Sequence, residues 1–247
     1  MAVYDRAEGA SVQLANKANQ SPLTQADLAS HHVISEGLAR LRSDLAVVSE
    51  EDADSMRHRT SVGSFWLIDP LDGTKEFLAR NGEFTVNIGL VVETQPVWGV
   101  VYAPALEQMY WGGKGWGAWR SVAGQVEPVR VSAPVCVGSR YRVVASKSHL
   151  NAETLAFIER LGAADLVQAG SSLKFCRVAE GLADVYPRLA PTCEWDTAAA
   201  QAVVLGAGGH LVDVQGAALR YGKADVLNPH FIAASVRLKA FGVHFHG

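Results

Sequence analysis

The sequence predicts a mixed fold, with α+β character in its first half and α/β character in its second. Apolar residues recur near the helical period between Thr24 and Leu41. Short strand-like runs separated by turn residues follow over residues 85–120, which indicates an antiparallel meander. Beyond Val129 strand and helix patterns alternate, an order that is typical of α/β structure.

Periodicity and turn residues define the individual elements. The predicted helices span residues 24–41, 152–161, 173–180 and 196–205. The predicted strands span residues 65–68, 85–92, 97–103, 108–111, 115–120, 141–145, 166–169, 184–186, 210–214 and 231–234. We therefore expect an N-terminal α+β region, residues 1–128, that contains the meander, and a C-terminal α/β region, residues 129–247.

Composition narrows the class of protein. A chain of 247 residues that is 49% hydrophobic can bury one large core or two fused ones. A net charge of −3 leaves no overall basic field, so general nucleic-acid binding is excluded. Three cysteines without C-x-x-C spacing argue against a disulfide framework and favour the reducing cytoplasm. No apolar stretch approaches the ~20 residues of a membrane span, so no transmembrane segment is predicted.

The most informative stretch is residues 66–74, which place two carboxylates, a backbone carbonyl and a hydroxyl around one bend. The strand is expected to end before Pro70, which cannot donate to a ladder, and Gly73 tolerates backbone angles that other residues avoid. Asp69 and Asp72 are therefore expected at the strand end and in the turn after it. Oxygen-only ligands select magnesium, calcium or manganese, and magnesium is usually held by one or two carboxylates plus substrate phosphate. Asp-Pro and Asp-Gly are each ordinary turn dipeptides; the combination is much rarer.

Two further acidic positions follow the same logic. Asp196 opens an alanine-rich stretch and is predicted in the first turn of a helix, where a carboxylate also caps the helix. Glu50 follows the apolar pair Val47 and Val48, which predicts that it lies at a strand end. An acidic run of this kind is also typical of a solvated surface loop.

Five segments resemble a known family. They are residues 49–51 (SEE), 69–77 (DPLDGTKEF), 81–87 (NGEFTVN), 170–176 (GSSLKFC) and 195–199 (WDTAA). They are similar to the inositol monophosphatase superfamily of magnesium-dependent, lithium-sensitive phosphatases, and most closely to the bacterial 3'(2'),5'-bisphosphate nucleotidases. The resemblance implies an α/β/α/β/α layered sandwich. It also implies a hydrolase that removes the 3'-phosphate of 3'-phosphoadenosine 5'-phosphate to give AMP and phosphate, which clears a by-product of sulfate assimilation.

The resemblance also implies the roles of individual residues. The matching metal ligands, for two or three Mg²⁺ ions, are Glu50, Asp69, the carbonyl of Leu71, Asp72 and Asp196. The matching catalytic residues are Asp27, Glu50 and Thr74, of which Thr74 and Asp27 match the residues that hold and help deprotonate the attacking water. Asp27 also stands three residues after Thr24, where a carboxylate caps a helix, and both interpretations stay open.

The matching substrate-binding positions are Asp72, Gly73, Thr74, His149, Ser171, Lys174, Arg188 and Asp196. Lys174 and Arg188 would hold the 5'-phosphate while the metal ions hold the reactive phosphate. Each of these two cations, taken alone, is also typical of a solvated surface.

Other functions stay in view. A sugar-phosphate phosphatase of the same superfamily is the main alternative, although Leu189 stands where inositol monophosphatases carry a carboxylate. A non-enzymatic metal-binding module is the third. The expected partner is a small nucleotide bisphosphate. Open questions are a homodimer and a peripheral association with the inner membrane. Family members usually have a helix before the position that matches Met1, so an extended chain is expected to be more stable.

Overall fold

The computed structural model describes residues 1, 4, 15–16, 22–23, 25–59, 63–134, 139–145 and 151–236. A two-residue pair, β1 (Ala15–Asn16) and β2 (Pro22–Leu23), is antiparallel. Two larger sheets and the helices packed against them form the rest of the fold.

The first sheet has seven strands in chain order. They are β3 (Ala46–Ser49), β4 (Ser64–Asp72), β5 (Thr85–Val92), β6 (Gln95–Ala103), β7 (Gln108–Gly113), β8 (Gly117–Val122) and β9 (Gln125–Pro128). Strands β3 and β4 are parallel, and every later neighbour is antiparallel, which confirms the predicted meander.

The second sheet has five strands in the order β11-β10-β12-β14-β13. They are β10 (Tyr141–Ala145), β11 (Ala164–Gln168), β12 (Val185–Arg188), β13 (His210–Asp213) and β14 (Phe231–Ala234). Strand β10 is parallel to β11 and β12, whereas β14 is antiparallel to both β12 and β13. The chain therefore inserts β14 between two strands that precede it in the sequence.

Helices complete a five-layer arrangement. They are α1 (Gln25–Leu41), α2 (Thr74–Leu78), α3 (Ala152–Arg160), α4 (Leu173–Ala179) and α5 (Ala198–Gly206), and 3-10 helices span Ala53–His58, Pro104–Leu106 and Glu194–Asp196. Helix α1 packs on β4 of the first sheet and α3 contacts β12 of the second, while α5 contacts both sheets and α4. The expected α/β/α/β/α sandwich is confirmed.

Helix α5 lies unusually close to the first sheet. A Cβ added to Gly99 of β6 would stand 2.1 Å from the carbonyl oxygen of Ala199, so only glycine fits at this contact. Seven of the nine residues of α5, Ala198 to Val204, are buried. A small-residue helix between two sheets thus explains the alanine-rich sequence of this segment.

The buried core joins the two halves of the chain. One apolar cluster contains Phe65 and Tyr110 from the first sheet together with Phe175 of α4 and Phe231 of β14. This cluster contains residues from both sides of the predicted boundary at residue 128. The division of the chain into two regions stays a prediction.

Most predicted elements are confirmed within one or two residues. The main differences are the length of β4, the position of Asp196, and the unpredicted α2, β9 and β1–β2 pair. Strand β4 continues through Pro70 to Asp72, because a bulge between Asp69 and Asp72 accommodates the missing N–H. Asp196 lies in a 3-10 helix before α5 and not in the first turn of α5. Strand β9 was not predicted, since its residues are exposed and carry no alternating apolar pattern. The predicted cap Thr24 lies outside the described residues.

Candidate metal centre

The bend between β4 and α2 places two carboxylates on one edge of the first sheet. Asp69 pairs with Asn87 and Asp72 with Thr85 across the ladder, so the two residues between the aspartates face only Val86 of β5, and the one extra residue forms the bulge. The side chain of Asp69 accepts a 3.1 Å hydrogen bond from the backbone N–H of Leu71, which fixes it over the bulge. Sequence reasoning placed Asp72 in a turn, but the structure places it at the last residue of the strand.

Gly73 makes the sharp change of direction after the strand. Its φ of +89° lies in the left-handed region, and the helix begins at the next residue, the buried Thr74. The hydroxyl of Ser171 donates to the carbonyl of Asp72 at 2.9 Å and occupies the space that a Gly73 side chain would need. The bend is therefore braced from the second half of the chain.

Three buried polar side chains hold the carboxylate of Asp72. Its Oδ2 atom lies 2.9 Å from the hydroxyl of Ser172, 3.3 Å from that of Thr85 and 3.4 Å from the amide nitrogen of Asn87. Asn87 also donates to Ser172 at 2.9 Å. These three donors fix the orientation of the Asp72 carboxylate, as groups hydrogen-bonded to metal ligands do.

The 3-10 helix Glu194–Asp196 brings a third carboxylate to the same place. Asp196 accepts a 2.7 Å hydrogen bond from the backbone N–H of Cys193, which closes the turn. The Ser172 hydroxyl lies 3.1 Å from the Asp196 carbonyl, so one serine contacts both acidic segments.

Carboxylate oxygens of Asp69, Asp72 and Asp196 all lie within 4.8 Å of one another. Burial, followed by the negative charges of Asp72 and Glu50, raises the pKa of Asp196. Such crowding is unfavourable unless a cation compensates it, and an all-oxygen set suits a hard divalent ion such as Mg²⁺. The donor set therefore fits the metal ion that the sequence predicted.

The other predicted metal and catalytic positions surround this cluster. Glu50 is half-buried, directly follows β3 as predicted, and is close enough for its charge to act on Asp196, although it is not part of the three-carboxylate group. Asp27 is fully buried in the first turn of α1. Helix α1 is attached to the bend by Ser30, whose hydroxyl donates to the Pro70 carbonyl at 2.8 Å.

Two cations of the second half lie beside the carboxylates. Lys174 is only 6% exposed, so it is not the solvated surface cation that its sequence also allowed. Burial lowers its pKa to about 8, Asp72 opposes that shift, and Arg188 contributes to it. Arg188 is half-buried at the end of β12 and donates to the carbonyl of Pro191 at 3.0 Å. The ammonium group of Lys174 also lies 5.8 Å from the ring centre of Tyr186.

The structure thus brings together residues from three separate segments of the chain: Asp69, Asp72 and Gly73, then Ser171 and Lys174, and finally Asp196. His149 lies outside the described residues. Sequence reasoning assigned no role to Asn87 or Ser172. The signal for Asn87 was present, because it is an amide within the otherwise apolar run of β5.

The fold is a layered sandwich, and the edge of its first sheet presents an all-oxygen metal site next to a buried lysine and an arginine. These features define a class of protein, the metal-dependent enzymes that act on phosphate compounds. The chain belongs to the inositol monophosphatase family, which its sequence matches over residues 2–243.

Relatives of known function allow a finer comparison. The chain is 47% identical over 232 residues to the 3'(2'),5'-bisphosphate nucleotidase CysQ of Salmonella typhimurium, covering 94% of this chain and 92% of the relative. The same enzyme of Escherichia coli (strain K12) is 47% identical with the same coverage. The crystal structure of CysQ from Bacteroides thetaiotaomicron superposes with a TM-score of 0.75 at 41% identity, over 89% of this chain and 87% of that one.

A fourth neighbour supports the fold alone. The suppressor protein SuhB of Bartonella henselae has a TM-score of 0.74 at 23% identity, over 98% of this chain and 90% of that one. Among the described residues, no helix is both long enough and apolar enough to cross a membrane.

Proposed function

We propose that this protein is a magnesium-dependent 3'(2'),5'-bisphosphate nucleotidase that converts 3'-phosphoadenosine 5'-phosphate and water into AMP and phosphate. The observation that carries the proposal is the cluster of Asp69, Asp72 and Asp196 beside the buried Lys174. The 47% identity to nucleotidases over 94% of the chain supports the substrate class.

The metal site would use Glu50, Asp69, Asp72, Asp196 and the carbonyl of Leu71 to hold two or three Mg²⁺ ions. Bound there, the ions would lower the pKa of the attacking water and stabilise charge on the phosphate and the leaving oxygen. The hydrogen bonds from Ser172, Thr85 and Asn87 keep the Asp72 carboxylate oriented for this purpose.

The attacking water would be held by the hydroxyl of Thr74 and the carboxylate of Asp27, which would accept its one released proton, while Glu50 would act beside them as a metal ligand. Thr74 is the first residue of α2 and is buried, so its hydroxyl is fixed relative to Asp72. Attack forms a new bond between the water oxygen and phosphorus while the bond to the ribose 3'-oxygen breaks. Most of the protein's contribution to phosphoryl transfer is positioning and charge neutralisation.

Lys174 and Arg188 would bind the second, 5'-phosphate. Burial disfavours the charge of this ammonium group even though three acidic side chains, Asp72, Glu76 and Glu83, act on it, so a dianion that docks beside it stabilises the charged form. Ser171 would contact the same substrate from above the bend, and His149 would join it from outside the described residues. A phosphate anchored at this second position would favour a bisphosphate over a monophosphate.

The main alternative substrate is a sugar phosphate. Leu189 stands where inositol monophosphatases carry a carboxylate for ring hydroxyls, and it is buried in an apolar cluster with Phe157 and Ile232. An apolar side chain at that position gives no hydrogen bond to an inositol ring, so we favour the nucleotide.

The test is phosphate release with Mg²⁺ from 3'-phosphoadenosine 5'-phosphate, inositol 1-phosphate and fructose 1,6-bisphosphate, measured side by side. We expect strong preference for the adenosine bisphosphate and its loss in Asp72→Asn. Preference for a sugar phosphate would overturn the role of Lys174 and Arg188. No hydrolysis of any of the three compounds would overturn the proposed activity.

A cytoplasmic location and a homodimer belong to the same proposal. Cys176 and Cys193 are free thiols, which suits a reducing compartment. Val33 and Leu41 of α1 are 72% and 68% exposed, which leaves apolar surface for a second copy. Light scattering on the purified protein tests the dimer, and cell fractionation tests both the location and peripheral binding to the inner membrane.

A further inference from the structure

A buried charge cluster lies directly behind the metal centre. The carboxylate of Glu194 is fully buried and accepts hydrogen bonds from Arg59 at 3.1 Å and from the ammonium group of Lys223 at 2.5 Å. The backbone N–H groups of Gly222 and Lys223 donate to the same carboxylate at 2.9 and 3.1 Å. We call these three side chains the Arg59–Glu194–Lys223 cluster.

The cluster is attached to the segment that carries Glu50. The 3-10 helix Ala53–His58 is tied to the end of β3 because the backbone N–H of Ser49 donates to Ser55 at 3.1 Å. Arg59 follows that helix directly, and its guanidinium reaches Glu194 with only 7% of the side chain exposed. Arg59 also donates to the carbonyl of Lys223 at 2.5 Å.

At its other end, the cluster is attached to the turn that carries Asp196. Glu194 is the first residue of the 3-10 helix that ends at Asp196. Asn228 holds the same turn from outside, since its amide donates to the Cys193 carbonyl at 2.6 Å and to the Thr197 hydroxyl at 3.0 Å. One buried glutamate therefore connects two acidic segments that lie on either side of the metal centre.

We propose that Arg59, Glu194 and Lys223 are positioning residues that hold the Asp196 turn and the Glu50 segment at the separation a divalent ion requires. The inference rests on the proposed function, because it assumes that those carboxylates bind metal. A buried ion pair contributes little net stability over an apolar replacement, so geometry is the better reason for this cluster. Groups that orient metal ligands typically change metal affinity by about 10–100-fold when they are removed.

Arg59→Met separates positioning from simple electrostatics. If only charge–charge interactions matter, removing the positive charge of Arg59 removes a repulsion and should tighten the binding of Mn²⁺. If Arg59 holds the site together, Mn²⁺ should instead bind about tenfold more weakly or worse. The two explanations therefore predict opposite signs. Binding is measured without substrate, from the electron paramagnetic resonance signal of free Mn²⁺.

Arg120→Met is the matched control. Arg120 donates to Glu180 at 2.5 Å, and Glu180 is a buried carboxylate that keeps a second cation, Arg177, when Arg120 is removed. The control therefore damages a similar ion cluster on β8, four strands away from β4 in the same sheet. We expect it to lower the melting temperature without changing Mn²⁺ binding.

The outcomes separate cleanly. Equal or tighter Mn²⁺ binding by Arg59→Met, or equal weakening by Arg120→Met, would overturn the inference. If Arg59→Met does not fold, Lys223→Met applies the same sign test, because its side chain is 30% exposed and easier to replace. Weakened Mn²⁺ binding in a protein whose wild type hydrolyses none of the test substrates would support the inference and reject the proposed activity.

Discussion

Replacing Gly73 by alanine would test how the bend supports the metal centre. The substitution has two separate effects. The first is conformational, because φ at this position is +89° and the left-handed region costs a side-chain-bearing residue about 1–2 kcal/mol. The second is a collision, because the new Cβ would stand 1.9 Å from the hydroxyl oxygen of Ser171.

The collision has a calculable consequence. Ser171 must rotate away, and its hydrogen bond to the Asp72 carbonyl is then lost, at about 0.5–1.5 kcal/mol. If rotation is blocked by the packing, overpacking costs about 1–3 kcal/mol instead. In a protein of this size each kcal/mol corresponds to roughly 2–4 °C in melting temperature.

Gly216→Ala is the control, since Gly216 has a φ of +88° and nothing within 4 Å of its added Cβ. Both variants carry the conformational cost, but only Gly73→Ala carries the collision. We expect Gly73→Ala to be less stable than the control by roughly 0.5–3 kcal/mol in thermal and urea unfolding. We also expect it to lose phosphatase activity, while the control keeps it. Equal stability and equal activity of the two variants would refute this account of the bend.

Three further predictions concern the site. Ser172→Ala removes a 2.9 Å hydrogen bond that orients the Asp72 carboxylate, so Mn²⁺ should bind about tenfold more weakly or worse in the same electron paramagnetic resonance assay. Unchanged Mn²⁺ affinity would contradict this prediction. Burial lowers the pKa of Lys174 to about 8, so KM for the bisphosphate should rise as the pH is raised through that value. In Lys174→Arg the KM should not change with pH over this range, because arginine keeps its charge. A KM of the wild type that is independent of pH would rule out a phosphate contact by this lysine. Because that folded-state pKa lies below the ordinary 10.5, the unfolded chain binds more protons between the two values, and this lysine makes stability rise with pH there. Chelation with EDTA should lower the melting temperature and abolish activity, because bound ions stabilise the folded state by mass action. Added Mg²⁺ should restore both. An unchanged melting temperature would argue against a bound ion.

Local sequence patterns were sufficient where one element determines the outcome. The meander strand β5 matches its predicted span, residues 85–92, because apolar and small residues alternate there. Glu50 follows β3 as predicted, since an apolar pair followed by charges marks the end of a strand.

Local sequence patterns failed where contacts with residues distant in the sequence determine the structure. Pro70 was expected to end its strand, but β5 pairs on both sides of a bulge, so the ladder continues around the proline. The sequence around Lys174 was compatible with a solvated cation. Its burial follows from the packing of α4 against the second sheet and against α5, which no short stretch of sequence reveals. No local pattern predicted the role of Glu194, because its partners Arg59 and Lys223 lie 135 and 29 residues away in the sequence.

The position of β14 has a consequence for biosynthesis. This late strand pairs with β12, which ends at Arg188, on one side and with β13 on the other. The second sheet therefore stays in two parts until Phe231–Ala234 has been translated. A ribosome-bound chain that already contains every carboxylate of the centre would therefore lack a closed second sheet. We expect the nascent protein to acquire its metal ions only after release of this strand from the exit tunnel, so that chains truncated before β14 are inert.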